Sequence, residues 1–110
     1  MAINIREEND IVILDVMNDI NNETVNEFKT ILQSILNEKR KKIIINFEHV
    51  NYLCSSGLAI IGKAIKDVQD MQGKLKLVNL QRRVQRLFSM TKLTEMIEIY
   101  EGIEAAKNEF

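Results

Sequence analysis

The sequence predicts an α/β fold: a mainly parallel central sheet with an antiparallel edge strand, covered by helices. Three observations predict it. Short strand-like runs alternate with stretches of helical apolar spacing, and strands that alternate with helices pair in parallel through crossover connections. Ile43-Ile44-Ile45-Asn46-Phe47 is a short run rich in β-branched residues and reads as a central strand. Two strand-like segments open the chain as a hairpin-like pair, which adds the antiparallel edge. A chain of 110 residues suits one domain, residues 1–110, with one core.

The elements follow in order. Met1, Ile3 and Ile5 alternate with smaller or polar residues and suit an edge strand. Ile11–Val16 reads as a strand buried on both faces. Asn18-Asp19-Ile20-Asn21-Asn22 is turn and cap chemistry. A helix is expected from about Glu23 to Glu38, with Val25, Phe28, Leu32, Ile35 and Leu36 on one apolar face. After the central strand and a continuation over Val50–Leu53, a second helix is expected from about Ser56 to Met71. It stops near Gly73, read as a C-terminal glycine. Leu75, Leu77 and Val78 mark the next strand. Val84, Leu87, Phe88 and Thr91 repeat at helical spacing. A short strand near Met96–Ile99 and a closing helix over Ile103–Phe110 complete the chain.

Composition narrows the function. Lys and Arg number 15 against 16 Asp and Glu, a net charge of −1, so the whole chain has no strong pull toward DNA or an anionic membrane. No apolar run approaches the roughly 20 residues that cross a bilayer. The N-terminal stretch turns acidic after five residues, which argues against a secretory leader. One cysteine cannot form an internal disulfide and fits a reducing, cytoplasmic setting.

Residues 51–62, NYLCSSGLAIIG, are the most informative stretch. A strand-like segment breaks into Cys54-Ser55-Ser56-Gly57, and an apolar helical pattern follows at once. At 100° per residue, Leu58, Ile61, Ala64, Ile65 and Val68 face the core. Ser55, Ala59, Gly62 and Lys66 share the other side. Small residues beside an exposed serine leave room for another protein. The free N–H groups and the dipole at a helix start favour negative charge, so a phosphate on a serine there would be well placed. A plainer reading also stands: a serine that only caps the helix, beside a glycine kept for close packing.

LCSSGLAIIGKAIKDVQDMQGKLKLVNLQRRVQRLFSMTKL closely resembles the second half of STAS-domain proteins that act as anti-sigma factor antagonists. Cys54-Ser55-Ser56-Gly57-Leu58 matches the family's Asp-Ser-Ser/Thr-Gly-Leu/Ile segment. Gln72-Gly73, Leu75–Val78 and Val84-Gln85-Arg86-Leu87-Phe88 match the turn, strand and helix that follow it. Asn18-Asp19-Ile20-Asn21 lies where the family carries Gly-Glu-Leu/Ile-Asp. The resemblance implies a STAS-like single domain with no cofactor and no catalytic or metal site of its own. It implies a binding protein that captures an anti-sigma factor, itself a serine kinase, and so frees a sigma factor; a serine phosphatase is the second partner in this scheme. The family's phosphorylated serine matches Ser55, and phosphorylation switches binding off. By helix geometry the expected partner surface centres on Ser55, Ala59, Gly62 and Lys66, opposite the apolar stripe, with Cys54, Ser56, Gly57 and Asn21 of the Asn18–Asn22 turn beside it. Two family aspartates are replaced, by Cys54 and by Asn21. Those changes leave room for an alternative, a constitutive STAS subunit of a transporter or signalling assembly.

Other candidates carry less. Cys54 as a nucleophile lacks a base, since the only histidine, His49, is carried away by the chain between them. Gly57-x4-Gly62 is followed by Lys63-Ala64, which is not a phosphate loop. Lys39–Lys42 follows a helix end, where cations offset the dipole. Arg82, Arg83 and Arg86 share one short helix, with Arg82 and Arg86 as like charges four apart. Either an acidic partner or an ordinary exposed face accounts for them, and with so few aromatic residues they do not read as a nucleic-acid surface.

Overall fold

The structure is a computed structural model that describes residues 3–110. Met1, expected in the first strand, lies outside the described residues. Five strands form one sheet in the order β1-β2-β3-β4-β5. β1 (Ile3–Glu8) pairs antiparallel with β2 (Ile11–Val16). Asn9 and Asp10 join them with φ of 52° and 68°, the two left-handed residues of a hairpin turn whose twist matches the strands. β3 (Lys42–Asn46), β4 (Lys74–Val78) and β5 (Glu98–Tyr100) continue in parallel, as expected. β2 and β3 are buried on both faces, the reason their sequences are apolar without alternation.

One face of the sheet carries the main core. Val12, Leu14, Ile43, Ile45, Leu75 and Leu77 point into it from the strands. α1 (Val25–Asn37) answers with Val25, Phe28, Leu32 and Ile35, and α2 (Ser55–Asp70) with Ile61, Ala64, Ile65 and Val68. α3 (Arg82–Ser89) adds Val84 and Phe88. Leu58, expected in this core, is half-buried at its margin.

The opposite face is covered by α4 (Ile103–Lys107), which packs Ala106 and Ile103 on Ile11, Ile13, Ile44 and Val78. Beneath α4 lies Lys76, fully buried. Its ammonium donates to the Ala106 carbonyl at 3.1 Å, lies 3.6 Å from Glu98 Oε1 and stands 4.1 Å from the Phe110 ring centre. Burial pushes the Lys76 pKa down, against the pull of Glu98.

Three local expectations are corrected. The left-handed residue that ends α2 is Gln72 (φ 62°), not Gly73. The Gly73 N–H bonds the Val68 carbonyl at 2.8 Å and that of Gln72 bonds Gln69 at 2.9 Å, a Schellman closure. Gly73 is needed for another reason: a Cβ there would stand within 2.8 Å of the Lys41 main chain. Val50–Leu53 does not continue as a strand; it is a loop in which only Leu53 makes a bridge, to Ile20. The last strand begins at Glu98 rather than Met96, because Lys92–Glu95 forms a 3₁₀ turn. The N–H groups of Met96 and Ile97 both bond the Leu93 carbonyl, at 2.9 and 3.0 Å, and are lost to the ladder.

Candidate functional site at the start of α2

Two loops meet at the end of the sheet where β2 and β3 finish. The loop after β2 supplies Asp19, Ile20 and Asn21; the loop after β3 runs from Phe47 to Cys54. Main-chain bonds join them: Ile20 N–H to the Tyr52 carbonyl (3.0 Å) and Cys54 N–H to the Ile20 carbonyl (2.9 Å). Asp19 adds a clamp, its Oδ1 accepting from the N–H groups of Asn51 (2.7 Å) and Tyr52 (3.2 Å). Phe47, Val50 and Leu53 anchor the second loop in the core. The chain therefore enters α2 along a fixed path.

Asn21 caps its own turn. Its Oδ1 accepts from the N–H groups of Glu23 (2.9 Å) and Thr24 (3.1 Å), while Thr24 Oγ1 accepts from Asn21 N–H at 2.9 Å. The carboxamide oxygen does here what a carboxylate would do, without the charge.

Cys54 is the N-cap of α2, with extended backbone (φ −75°, ψ 165°) and no side-chain bond to the main-chain N–H groups of the helix. Neither serine is the cap. Ser55 and Ser56 are the first two residues of the helix and both are exposed. The Cys54 thiol is buried, 3.3 Å from Ser56 Oγ. The first turn contains no acidic residue. Its first intrahelical bond is Leu58 N–H to the Cys54 carbonyl at 3.0 Å. The N–H groups ahead of it project from the helix end with neither a side-chain cap nor a carboxylate to offset the dipole.

Gly57 lets this end close. A Cβ on it would lie 2.7 Å from Leu53 Cδ1 and 3.0 Å from Ile20 Cγ2. Its absence allows α2 to sit directly on the two joined loops.

The helix face beyond is only partly as expected. Ala59 and Lys66 are exposed, but Gly62 is half-buried. Leu93 of the 3₁₀ turn packs on it, 3.3 Å from where a Cβ would stand, and Gln69 Nε2 reaches the Met96 carbonyl at 3.5 Å. The turn thus lies along α2 and borders the open surface at Gly62. The structure brings together Asn21, Cys54, Ser55, Ser56 and Gly57, and sets Ala59, Gly62 and Lys66 along the same helix. Sequence reasoning missed Asp19 as the clamp and Leu93 as the border. The signal for Asp19 was available: it lies too far ahead of α1 to cap it.

His49 is exposed on the second loop. Among the described residues no cluster of His, Cys, Asp and Glu suits a metal ion, and no helix is long and apolar enough to cross a membrane.

The sheet order and the exposed serines that open α2 define a small α/β domain built on one five-stranded sheet. The STAS domain family model matches residues 2–106, and the chain belongs to that family. A Thermotoga neapolitana protein named by homology as an anti-sigma factor antagonist is 32% identical over 101 residues, 91% of this chain and 89% of that one. The anti-sigma-B factor antagonist of Staphylococcus aureus is 28% identical over 81 residues, 74% of this chain and 75% of its own. Among solved structures, a Thermotoga maritima protein described in the same terms as the first superposes with a TM-score of 0.91 at 28% identity, covering 97% of this chain and 92% of that one.

Proposed function

We propose that this single STAS domain is an anti-sigma factor antagonist that binds a kinase-type anti-sigma factor through the start of α2, and that phosphorylation of Ser55 ends the binding. The observation that carries the reading is the placing of Ser55: exposed, first in a 16-residue helix whose N-terminus has no side-chain cap. The relatives named above, which carry that function in their names, support it.

The chemistry follows from the charge. The kinase would transfer the γ-phosphoryl group of ATP to Ser55 Oγ: the new O–P bond forms as the bond to ADP breaks, ADP leaves, and the hydroxyl gives up its proton. The product adds about −1.5 to −2 charges at neutral pH. The free N–H groups and the dipole of α2 stabilise that charge within the domain. With a thiol at Cys54 and a carboxamide at Asn21, no carboxylate at those two positions opposes it. A partner packed on Ala59 and the serines would have to desolvate the phosphate, and any acidic group it presents would be repelled. The domain need not refold for the switch to act. It works by binding, in the cytoplasm, with no cofactor.

The test is phosphorylation by the purified anti-sigma kinase with ATP, followed by intact-mass analysis and site mapping. One phosphate on Ser55, none on the Ser55→Ala variant and weaker binding of the modified protein are expected. Phosphate on Ser56, or none at all, would contradict the switch. Capture of membrane transporter subunits in place of the kinase would favour a constitutive STAS subunit.

A further inference from the structure

We propose that the outward face of α3, formed by Arg82, Arg83 and Arg86, is a docking surface for an acidic segment of a protein partner. Val84 and Phe88 are fully buried, and at 100° per residue the three arginines fall within a 100° arc directly opposite them. All three are exposed.

Their lack of partners sets them apart from the other two arginines, Arg6 and Arg40. Arg6 lies 2.7 Å from Asp15, and Arg40 lies 2.8 Å from Glu7. Among the described residues, the guanidinium groups of Arg82, Arg83 and Arg86 have no hydrogen bond or ion pair. Arg86 suits the last turn of the helix, but the placing of Arg82 and Arg83 works against it. Arg82 and Arg83 are its first two residues, at the positive end of the dipole, with no acidic residue in the first turn. Arg82 and Arg86 are like charges one turn apart, a small local penalty. A surface that served only solubility would mix signs or reverse the order. A local conflict of this kind, with no compensation inside the chain, marks a surface whose compensation comes from outside.

The ligand chemistry follows from the side chains. Guanidinium groups bind carboxylates in bidentate pairs. Arg82 and Arg86 are separated by about 6 Å along the axis, which matches acidic residues at alternate positions of an extended segment or one turn apart on a helix. Met90, 77% exposed just past the end of α3, offers an adaptable apolar contact beside them. A nucleic acid is disfavoured because α3 exposes no aromatic side chain for stacking and the chain is net −1. A membrane is disfavoured because α3 keeps its two large core-facing side chains, Val84 and Phe88, buried. This surface is distinct from the start of α2 and does not depend on the phosphorylation reading.

The experiment measures binding of a rhodamine-labelled (Glu-Ser)₆ peptide by fluorescence anisotropy at low and high salt. The variant R82Q/R83Q/R86Q is compared with K29Q/K39Q/K41Q, which removes the same charge from exposed lysines elsewhere. The wild type should bind with an affinity that falls with salt. The arginine variant should lose at least about tenfold and the lysine variant less than twofold, and the arginine variant should melt no lower than wild type. No binding by the wild type, or an equal loss in both variants, would overturn the proposal. So would tighter arginine-dependent binding to a 12-base-pair DNA duplex or to phosphatidylglycerol vesicles, which would assign the face to another class of partner.

Discussion

Asp19 accepts the N–H of Asn51 at 2.7 Å across the gap between the first and second loops, and this bond fixes the approach to Ser55 from outside its own helix. Asp19→Ala removes the acceptor for two main-chain donors, Asn51 and Tyr52. The expected cost is about 1–3 kcal/mol in chemical denaturation, with faster amide exchange over residues 47–54. Asp19→Asn keeps the acceptor oxygen and should lose less. Unchanged exchange in Asp19→Ala would show that the main-chain bonds alone hold the loop.

Gly57 and Gly62 lie on the same helix and should respond differently to alanine. At Gly57 the new methyl would press on Leu53 and Ile20, both buried, and should cost about 1–3 kcal/mol. At Gly62 it meets only Leu93, half-buried in a short turn, at 3.3 Å. Relief of the helix penalty of glycine, about 0.5–1 kcal/mol, should leave Gly62→Ala neutral or slightly more stable. Thermal denaturation of both variants checks the contrast, and equal losses would refute it.

Ile61 and Ile65 are 0% and 2% exposed. Replacement of either by alanine should cost about 2–5 kcal/mol of unfolding free energy. A loss below 1 kcal/mol at both, measured by urea denaturation, would contradict the packing of α2 described here.

The docking of α4 should depend on pH. Five residues cannot hold a helix alone, so α4 exists by its contacts. One is the Lys107–Glu8 pair at 2.7 Å, which holds the Glu8 pKa below and the Lys107 pKa above their ordinary values. A lowered carboxyl pKa contributes stability above the group's ordinary value of 4.5, and that contribution is lost as pH falls through the lowered one. A raised ammonium pKa contributes below 10.5 and is lost as pH rises through the raised one. The Ala106 methyl resonance should therefore hold its position between these limits and shift at acid pH. Glu8→Gln should remove that acid step; a step of the same size in the variant would assign it elsewhere.

Much of this was legible in the sequence because it rests on short-range pattern. The apolar spacing of Val25, Phe28, Leu32 and Ile35 and the unbroken Ile43-Ile44-Ile45 need no knowledge of their neighbours. Cys54 as the cap was not legible, because it depends on where the first loop lies, and Asp19 left only a negative signal, its distance from α1, with no hint of the loop it clamps. The 3₁₀ turn was hidden for the same reason: Leu93 is placed by Gly62 across space. Lys76 is the clearest limit. A lysine inside a strand reads as a solvent-facing residue, and only α4 and Phe110, folded back over it, bury it.

We propose the start of α2 as the surface that binds the anti-sigma factor. The most direct measurement is the affinity of the purified kinase-type anti-sigma factor for wild type and for Ala59→Arg, by titration calorimetry. Ala59 is exposed, whereas Gly62 lies half-buried against Leu93, so a change at Ala59 adds bulk and charge to the surface and spares the core. Binding should weaken by at least about tenfold with the melting temperature nearly unaltered. Equal affinities in two equally stable proteins would place the interface elsewhere and leave Ser55 without a mechanism.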